Sequence, residues 1–272
     1  MSQGQGRSNI LIITGTGTGV GKTVVTAAIA ALARARGASV AVVKPAQTGI
    51  SSAGGTGGRA APPAGGTGGR AAPPCAGGVW GGSLPPGDTE LPDTETVTRL
   101  SGVTDTHELA RYPDPLSPEA ASRMSGLPPL DMDGAADYIA KLAADRDLVL
   151  VEGAGGLLVR YDAAGTTIAT LAAALGAPTV IVAAPGLGTL NHTALTLEAL
   201  AARDIGSLGV VIGSWPLDPG LAERNNLADL EAIAGGPLAG VLPAGAGQLA
   251  RGAFVSMARE SLVPRLGGLR AA

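Results

Sequence analysis

The sequence predicts an α/β fold, a parallel β-sheet flanked by helices on both faces. Two observations predict it. Apolar runs rich in Val and Ile recur along the chain, separated by Ala- and Leu-rich helical segments, and strand–helix alternation implies parallel strands joined by right-handed crossovers. The clearest runs, Asp147-Leu148-Val149-Leu150-Val151 and Pro178-Thr179-Val180-Ile181-Val182, are continuous rather than alternating, as expected of strands covered on both faces. The first strand is Ile10-Leu11-Ile12-Ile13, near 10–14, and a helix over 22–36 follows it. Further strands fall near 39–44, 147–152, 178–184, 209–214 and 238–242. Between them lie helices near 93–102, 117–125, 133–145, 167–175, 189–203, 222–234 and 252–260.

One α/β domain over 1–272 accounts for the chain, apart from a Gly/Ala/Pro-rich insertion at about 51–90. Residues 53–63 read AGGTGGRAAPP, and residues 64–74 repeat them letter for letter. Such a tract has almost nothing large to bury and cannot offset its ordering entropy, so it reads as a flexible insertion. Two copies without core residues argue against a solenoid. Trp80, near the end of the tract, is its one residue suited to docking.

Bulk composition narrows the function. Hydrophobic residues make up 45 % of the 272 and aromatics only 2 %, so the core is aliphatic. A net charge of −3 gives no basic patch for a nucleic-acid partner. No uninterrupted apolar stretch reaches the ~18 residues of a membrane span, and the polar start, Met1 to Asn9, does not resemble a signal peptide. Cys75 is the single cysteine, so an intrachain disulfide is excluded and a cytoplasmic location is expected. His107 and His192 stand apart and read as surface or capping residues.

Residues 15–23 read GTGTGVGKT between the first strand and the first helix. Glycines let the backbone curl so that N–H groups face phosphate oxygens, and the helix N-terminus adds partial positive charge. Lys22 is placed to reach the β- and γ-phosphates and Thr23 to ligate Mg²⁺. The usual spacing asks for glycine where Thr16 stands; here the glycine lies one place earlier, at Gly15.

Ligands of an open parallel sheet sit beyond the C-terminal strand ends. The strand near 147–152 delivers Glu152 there, followed by Gly153-Ala154-Gly155-Gly156, and a carboxylate at that point suits Mg²⁺. The strand near 39–44 delivers Lys44-Pro45, then Gln47-Thr48-Gly49. A lysine beside a triphosphate stabilises the charge that develops in phosphoryl transfer. Asp93 opens the helix after the insertion, as a plain N-cap or as a Mg²⁺ ligand. The loop Gly186-Leu187-Gly188-Thr189-Leu190-Asn191 leads into another helix N-terminus, which suits a carboxylate or simply uses Thr189 as a cap.

Five segments thus stand in order: GTGTGVGKT, KPAQTG, Asp93, VEGAGG and GLGTLNHT. Together they resemble the dethiobiotin synthetase family, from about Ile10 to Gly247, and the longer phosphate loop belongs to that family's pattern. The resemblance implies a P-loop NTPase-type sheet and a cyclo-ligase that forms carbon–nitrogen bonds. It implies 7,8-diaminononanoate, CO₂ and ATP as substrates, a carbamate, a carbamic–phosphoric anhydride, and ring closure to dethiobiotin in biotin synthesis. Thr23, Asp93 and Glu152 match the family's Mg²⁺ ligands, and Lys22 and Lys44 its catalytic lysines. Thr48 matches the hydroxyl residue on the substrate. Gly188, Thr189, Leu190 and Asn191 match a loop that reaches the neighbouring subunit's substrate, which implies a homodimer.

The implied nucleotide site comprises Gly19, Val20, Gly21, Lys22, Thr23, Val24, Asp93 and Glu152 to Gly155, including Gly153 and Ala154. Many members carry Asn-Asp where this chain has Gly213-Ser214, and that Asn reads adenine. The departure leads to the expectation that base selection is relaxed, with CTP or other triphosphates serving as well as ATP. Backbone groups of Pro243, Ala244 and Gly245 would then contact the base. Asp88 is the alternative to Asp93 as metal ligand. Two rivals are weaker. A cobyrinate a,c-diamide synthase needs a glutaminase domain for which there is no room. A partitioning-type switch ATPase usually has a lysine near the loop's start, where this chain reads Thr14-Gly15-Thr16-Gly17.

Overall fold

The computed structural model describes residues 8–50 and 91–271. The repeated tract with Trp80, Cys75 and Asp88 lies outside the described residues, so the expectations placed on it have no structural counterpart here. Seven strands pair in parallel into one sheet: β1 (Ile10–Gly15), β2 (Val40–Thr48), β3 (Thr106–Tyr112), β4 (Leu148–Gly156), β5 (Thr179–Ala183), β6 (Ser207–Trp215) and β7 (Gly240–Pro243). Their order across the sheet is β3-β2-β4-β1-β5-β6-β7. The helices are α1 (Lys22–Ala35), α2 (Asp93–Ser101), α3 (Pro118–Ser125), α4 (Met132–Ala144), α5 (Ile168–Ala174), α6 (Thr189–Ala201), α7 (Leu221–Ala234) and α8 (Arg251–Ser261).

Successive strand residues point to opposite faces, and each face builds its own core. Ile10, Ile12, Val149, Val151 and Ile181 pack with side chains of α3 to α7. Leu11, Ile13, Leu150, Val180 and Val182 pack with α1, α2 and α8. This two-sided burial explains why the central strands read as continuous apolar runs.

Three differences from the sequence reading concern the sheet. Strand β3 was not foreseen. Its sequence, THELARY, has no Val or Ile, and all of it but Tyr112 is only partly buried at the sheet edge. Glu108 and Arg111 pair with each other on it, through two hydrogen bonds of 2.5 and 2.9 Å, as suits an edge that must resist further pairing. Strand β2 does not end at Lys44 but runs to Thr48, because β3 pairs with it there, Lys44 with Glu108 and Thr48 with Tyr112. Pro45, which lacks an N–H, stands where pairing with β4 has already ended at Val43. Strand β4 likewise continues through Glu152 to Gly156 alongside β1, with an irregularity between Ile13 and Gly15.

Candidate active site

The C-terminal ends of β1, β2 and β4 bring the phosphate loop, Lys44 and Glu152 together, and α2 adds Asp93. The Thr23 hydroxyl lies 2.8 Å from Asp93 Oδ1 and 2.8 Å from Glu152 Oε1. Lys44 Nζ lies 2.6 Å from Asp93 Oδ2 and 3.0 Å from Glu152 Oε1. It also donates to the Gly153 carbonyl at 3.4 Å. Lys22, Lys44 and Glu152 are all buried. Lys22 Nζ donates to the Gly17 carbonyl at 2.9 Å, inside the loop it belongs to.

Charge and burial act differently on the two lysines. Burial, and then the neighbouring Lys44 charge, lower Lys22 to about 8. Burial opposes the charge on Lys44 as well, but Glu152 and Asp93 outweigh it and hold Lys44 above its ordinary value. Asp93 is pulled below the ordinary carboxylate range: burial works against this, and the contact with Lys44 overcomes it.

The loop geometry depends on glycine at two facing positions. Gly21 has φ 96° at the start of α1, a left-handed conformation that disfavours other residues. A Cβ there would lie 2.7 Å from the Gly213 carbonyl oxygen, and a Cβ on Gly213 would lie 2.1 Å from the Val20 carbonyl oxygen. The end of β6 therefore packs backbone to backbone on the phosphate loop. Ser214, Ala244 and Gly245 are exposed beside it, and Ala244 N–H donates to the Trp215 carbonyl at 2.7 Å. Val24 lies next to the same loops, since a Cβ on Gly247 would sit 3.3 Å from its Cγ2.

Among the described residues no side-chain hydrogen bond or ion pair joins the GLGTLNHT segment to the lysine–carboxylate cluster. Helix α6 begins at Thr189 with Gly188 as N-cap and no side-chain cap, so Thr189 is not a capping residue. The Thr189 hydroxyl is buried with no hydrogen-bond partner among the described residues, while Gly188 and Asn191 are exposed and Leu190 half-buried. Leu187, in the loop before α6, is 80 % exposed and Leu195, on α6, 55 %. Thr48 is half-buried at the end of β2. A surface groove of about 480 Å³ lined by Leu109, Tyr112, Leu130 and Tyr138 lies at the β3 edge, and none of the residues above lines it.

Three residues absent from the sequence-derived site support it. Gln47 Oε1 accepts from Asp93 N–H at 3.2 Å. The buried Tyr161 hydroxyl accepts from Ala154 N–H at 2.8 Å and so holds the turn after Glu152. Asn226 donates to the Pro185 and Gly186 carbonyls at 2.8 and 3.1 Å, fixing the segment before α6. Gln47, Tyr161 and Asn226 carry no local signal in the sequence.

Comparison with known proteins gives two kinds of likeness. The AAA domain family matches residues 9–247. The chain is 56 % identical over 230 residues to the ATP-dependent dethiobiotin synthetase BioD of Frankia casuarinae, covering 85 % of this chain and 82 % of the relative. It is 52 % identical to the protein of that name from Parafrankia sp., covering 86 % and 83 %. With the one from Streptomyces avermitilis the identity is 50 %, covering 85 % and 82 %. Among solved structures, the septum site-determining protein MinD of Pyrococcus horikoshii, complexed with Mg-ADP, aligns with TM-score 0.53 at 16 % identity, covering 96 % of this chain and 98 % of that one. The cell division ATPase MinD of Pyrococcus furiosus aligns with TM-score 0.52 at 18 % identity, covering 93 % and 98 %. At such identities these structures share the fold, and the sequence relatives carry the kinship.

Proposed function

The chain belongs to the dethiobiotin synthetase family, and from that premise we propose the reaction it performs and the residues that perform it. The enzyme is an ATP-dependent ligase that converts 7,8-diaminononanoate and CO₂ to dethiobiotin, as a carbon–nitrogen-forming cyclo-ligase. One amine adds to CO₂ to give a carbamate and a proton. A carbamate oxygen attacks the γ-phosphorus, and the nucleoside diphosphate leaves. The second amine then attacks the carbonyl carbon of the mixed anhydride, closing the urea ring and expelling phosphate. No side-chain nucleophile is required, so positioning and charge stabilisation carry the rate.

The observation that carries this reading is the convergence of Thr23, Lys44, Asp93 and Glu152 beside the phosphate loop, where Thr23 and Lys44 each meet both carboxylates at 2.6–3.0 Å. Lys22 is assigned to the β- and γ-phosphates and Lys44 to the carbamate and the transferred phosphoryl group, as catalytic residues. The loop backbone from Gly19 to Val24, with Gly153, Ala154 and Gly155, cradles the nucleotide. Mg²⁺ suits the oxygen set of Thr23, Asp93 and Glu152: it prefers one or two carboxylates completed by phosphate oxygens and water, and the bound Lys44 ammonium marks the spot as attractive to a cation. When bound, Mg²⁺ neutralises charge on the phosphate oxygens.

Thr48 is assigned to the diamine. Gly188, Thr189, Leu190 and Asn191 are assigned to the distal carboxylate of the substrate held by a second copy of the chain, so the active form is a homodimer. The exposed Leu187 and Leu195 support that assignment. Gly213 offers the base no side chain. Ser214 and the backbone of Pro243, Ala244 and Gly245 then contact it without strong selection, and CTP or other triphosphates serve beside ATP. Among the described residues no helix is long and apolar enough to cross a membrane, and we place the enzyme in the cytoplasm. One domain over residues 1–272, interrupted at about 51–90, completes the proposal.

Catalytic efficiency with ATP, GTP, CTP and UTP tests the base assignment: comparable values support it, and a strong preference for ATP alone contradicts it. A partitioning-type switch ATPase shares the fold, but no lysine stands in the loop's opening residues Thr14 to Gly17.

A further inference from the structure

Helix α2 starts without a cap of its own. Its N-cap residue is Pro92, and no side chain of the helix start accepts from its first N–H groups. Those groups have no partner within a helix. The Asp93 N–H finds one across the fold, donating to Gln47 Oε1 at 3.2 Å. The other end of the same amide is fixed too, because Gln47 Nε2 donates to the Thr48 carbonyl at 3.3 Å. Gln47 is 6 % exposed on strand β2, three positions beyond Lys44. A single side chain thus ties the strand that carries Lys44 to the residue whose carboxylate meets Lys44 and Thr23. Among the described residues, contacts such as this one locate Asp93.

We infer that Gln47 is a positioning residue: it sets the Asp93 carboxylate in place for the divalent cation. The inference rests on the reading that Thr23, Asp93 and Glu152 hold Mg²⁺ with the nucleotide. Gln47 itself touches none of the reacting atoms in that reading.

The test is calorimetric titration of ADP into the full chain, with a Mg²⁺ series and with EDTA. Gln47→Met keeps the side-chain length but removes the acceptor. It is expected to raise the Mg²⁺ concentration needed for half-maximal enhancement of ADP binding by roughly 10- to 100-fold, the usual effect of losing a group that orients a metal ligand. ADP affinity in EDTA should stay at the wild-type value. Gln47→Glu, which keeps an oxygen to accept from Asp93 N–H, should not weaken the Mg²⁺ response. If Gln47→Met does not yield folded protein, Gln47→Asn, which withdraws the amide by one methylene, is measured in its place with the same expectation. A wild-type Mg²⁺ response in the variant overturns the inference, and so does an equal loss of ADP binding with and without Mg²⁺. Failure of the family reading looks different. Phosphate release by the wild-type protein would then not require diamine and bicarbonate, whatever the Gln47 variants do.

Discussion

Lys22 and Lys44 stand beside the same two carboxylates and respond in opposite directions, and this difference is measurable. Below about pH 8 Lys22 is charged in both folded and unfolded chains, and the cost of burying that charge is fully present. Between about 8 and the ordinary lysine value of 10.5, the unfolded chain holds a proton that the folded one has released, so the Lys22 contribution to stability rises with pH. Lys22→Met should flatten that rise in urea unfolding measured at pH 7 to 10. A bound triphosphate favours the charged lysine, so nucleotide affinity should fall as pH passes 8, with proton uptake visible by calorimetry in buffers of different ionisation enthalpy. Lys44→Met has another outcome. It leaves Asp93 and Glu152 facing each other without their cation, and breaking such a buried pair costs about 3–5 kcal/mol. Turnover should be lost, and Mg²⁺ should raise the melting temperature of this variant more than that of the wild type. Lys22, Lys44 and Glu152 were legible in the sequence because each stands in a short segment whose chemistry is local, GKT, KP and VEG, whereas Asp93 stands in no such segment and read equally as a plain N-cap. Gln47, Tyr161 and Asn226 were not legible, because each acts on a backbone group that sequence spacing does not point to.

At the scale of elements, the central strands announced themselves by continuous apolar runs, and all eight helices of the described residues fall close to their expected positions. Strand β3 failed to do so because its pairing with β2 supplies what its side chains do not: a partner for the polar half of KPAQTG. The end of β6 shows a second limit. Gly213 reads in sequence as the loss of a base contact. In the fold it is also the point where β6 meets the phosphate loop, and Val20, on the other side of that contact, is remote in sequence. Gly213→Ala would put a methyl group 2.1 Å from the Val20 carbonyl oxygen and 2.7 Å from Val182 Cγ1. The loop must shift, so the variant should lose about 1–3 kcal/mol of stability and bind ADP more weakly, by urea unfolding and titration respectively. Gly213→Asn meets the same obstruction, so it should lower affinity for every triphosphate instead of restoring adenine selection. Unchanged stability in Gly213→Ala would contradict the contact.

Across the whole molecule, one sheet separates two aliphatic cores and Thr23, Lys44, Asp93 and Glu152 meet beside it, while the segment before α6 presents Leu187 outward. The proposed dimer connects the two. Leu187→Glu should yield a monomer by analytical ultracentrifugation that still binds ADP but no longer turns over. A dimer of wild-type stability in that variant would remove the role assigned to this face. The central claim is the reaction itself. Its most direct measurement is phosphate release with Mg²⁺ and ATP, adding 7,8-diaminononanoate and bicarbonate singly and together. Release that requires both, with dethiobiotin formed in step, is the predicted result. Release indifferent to the diamine and bicarbonate, or stimulated only by a protein or DNA partner, would contradict it.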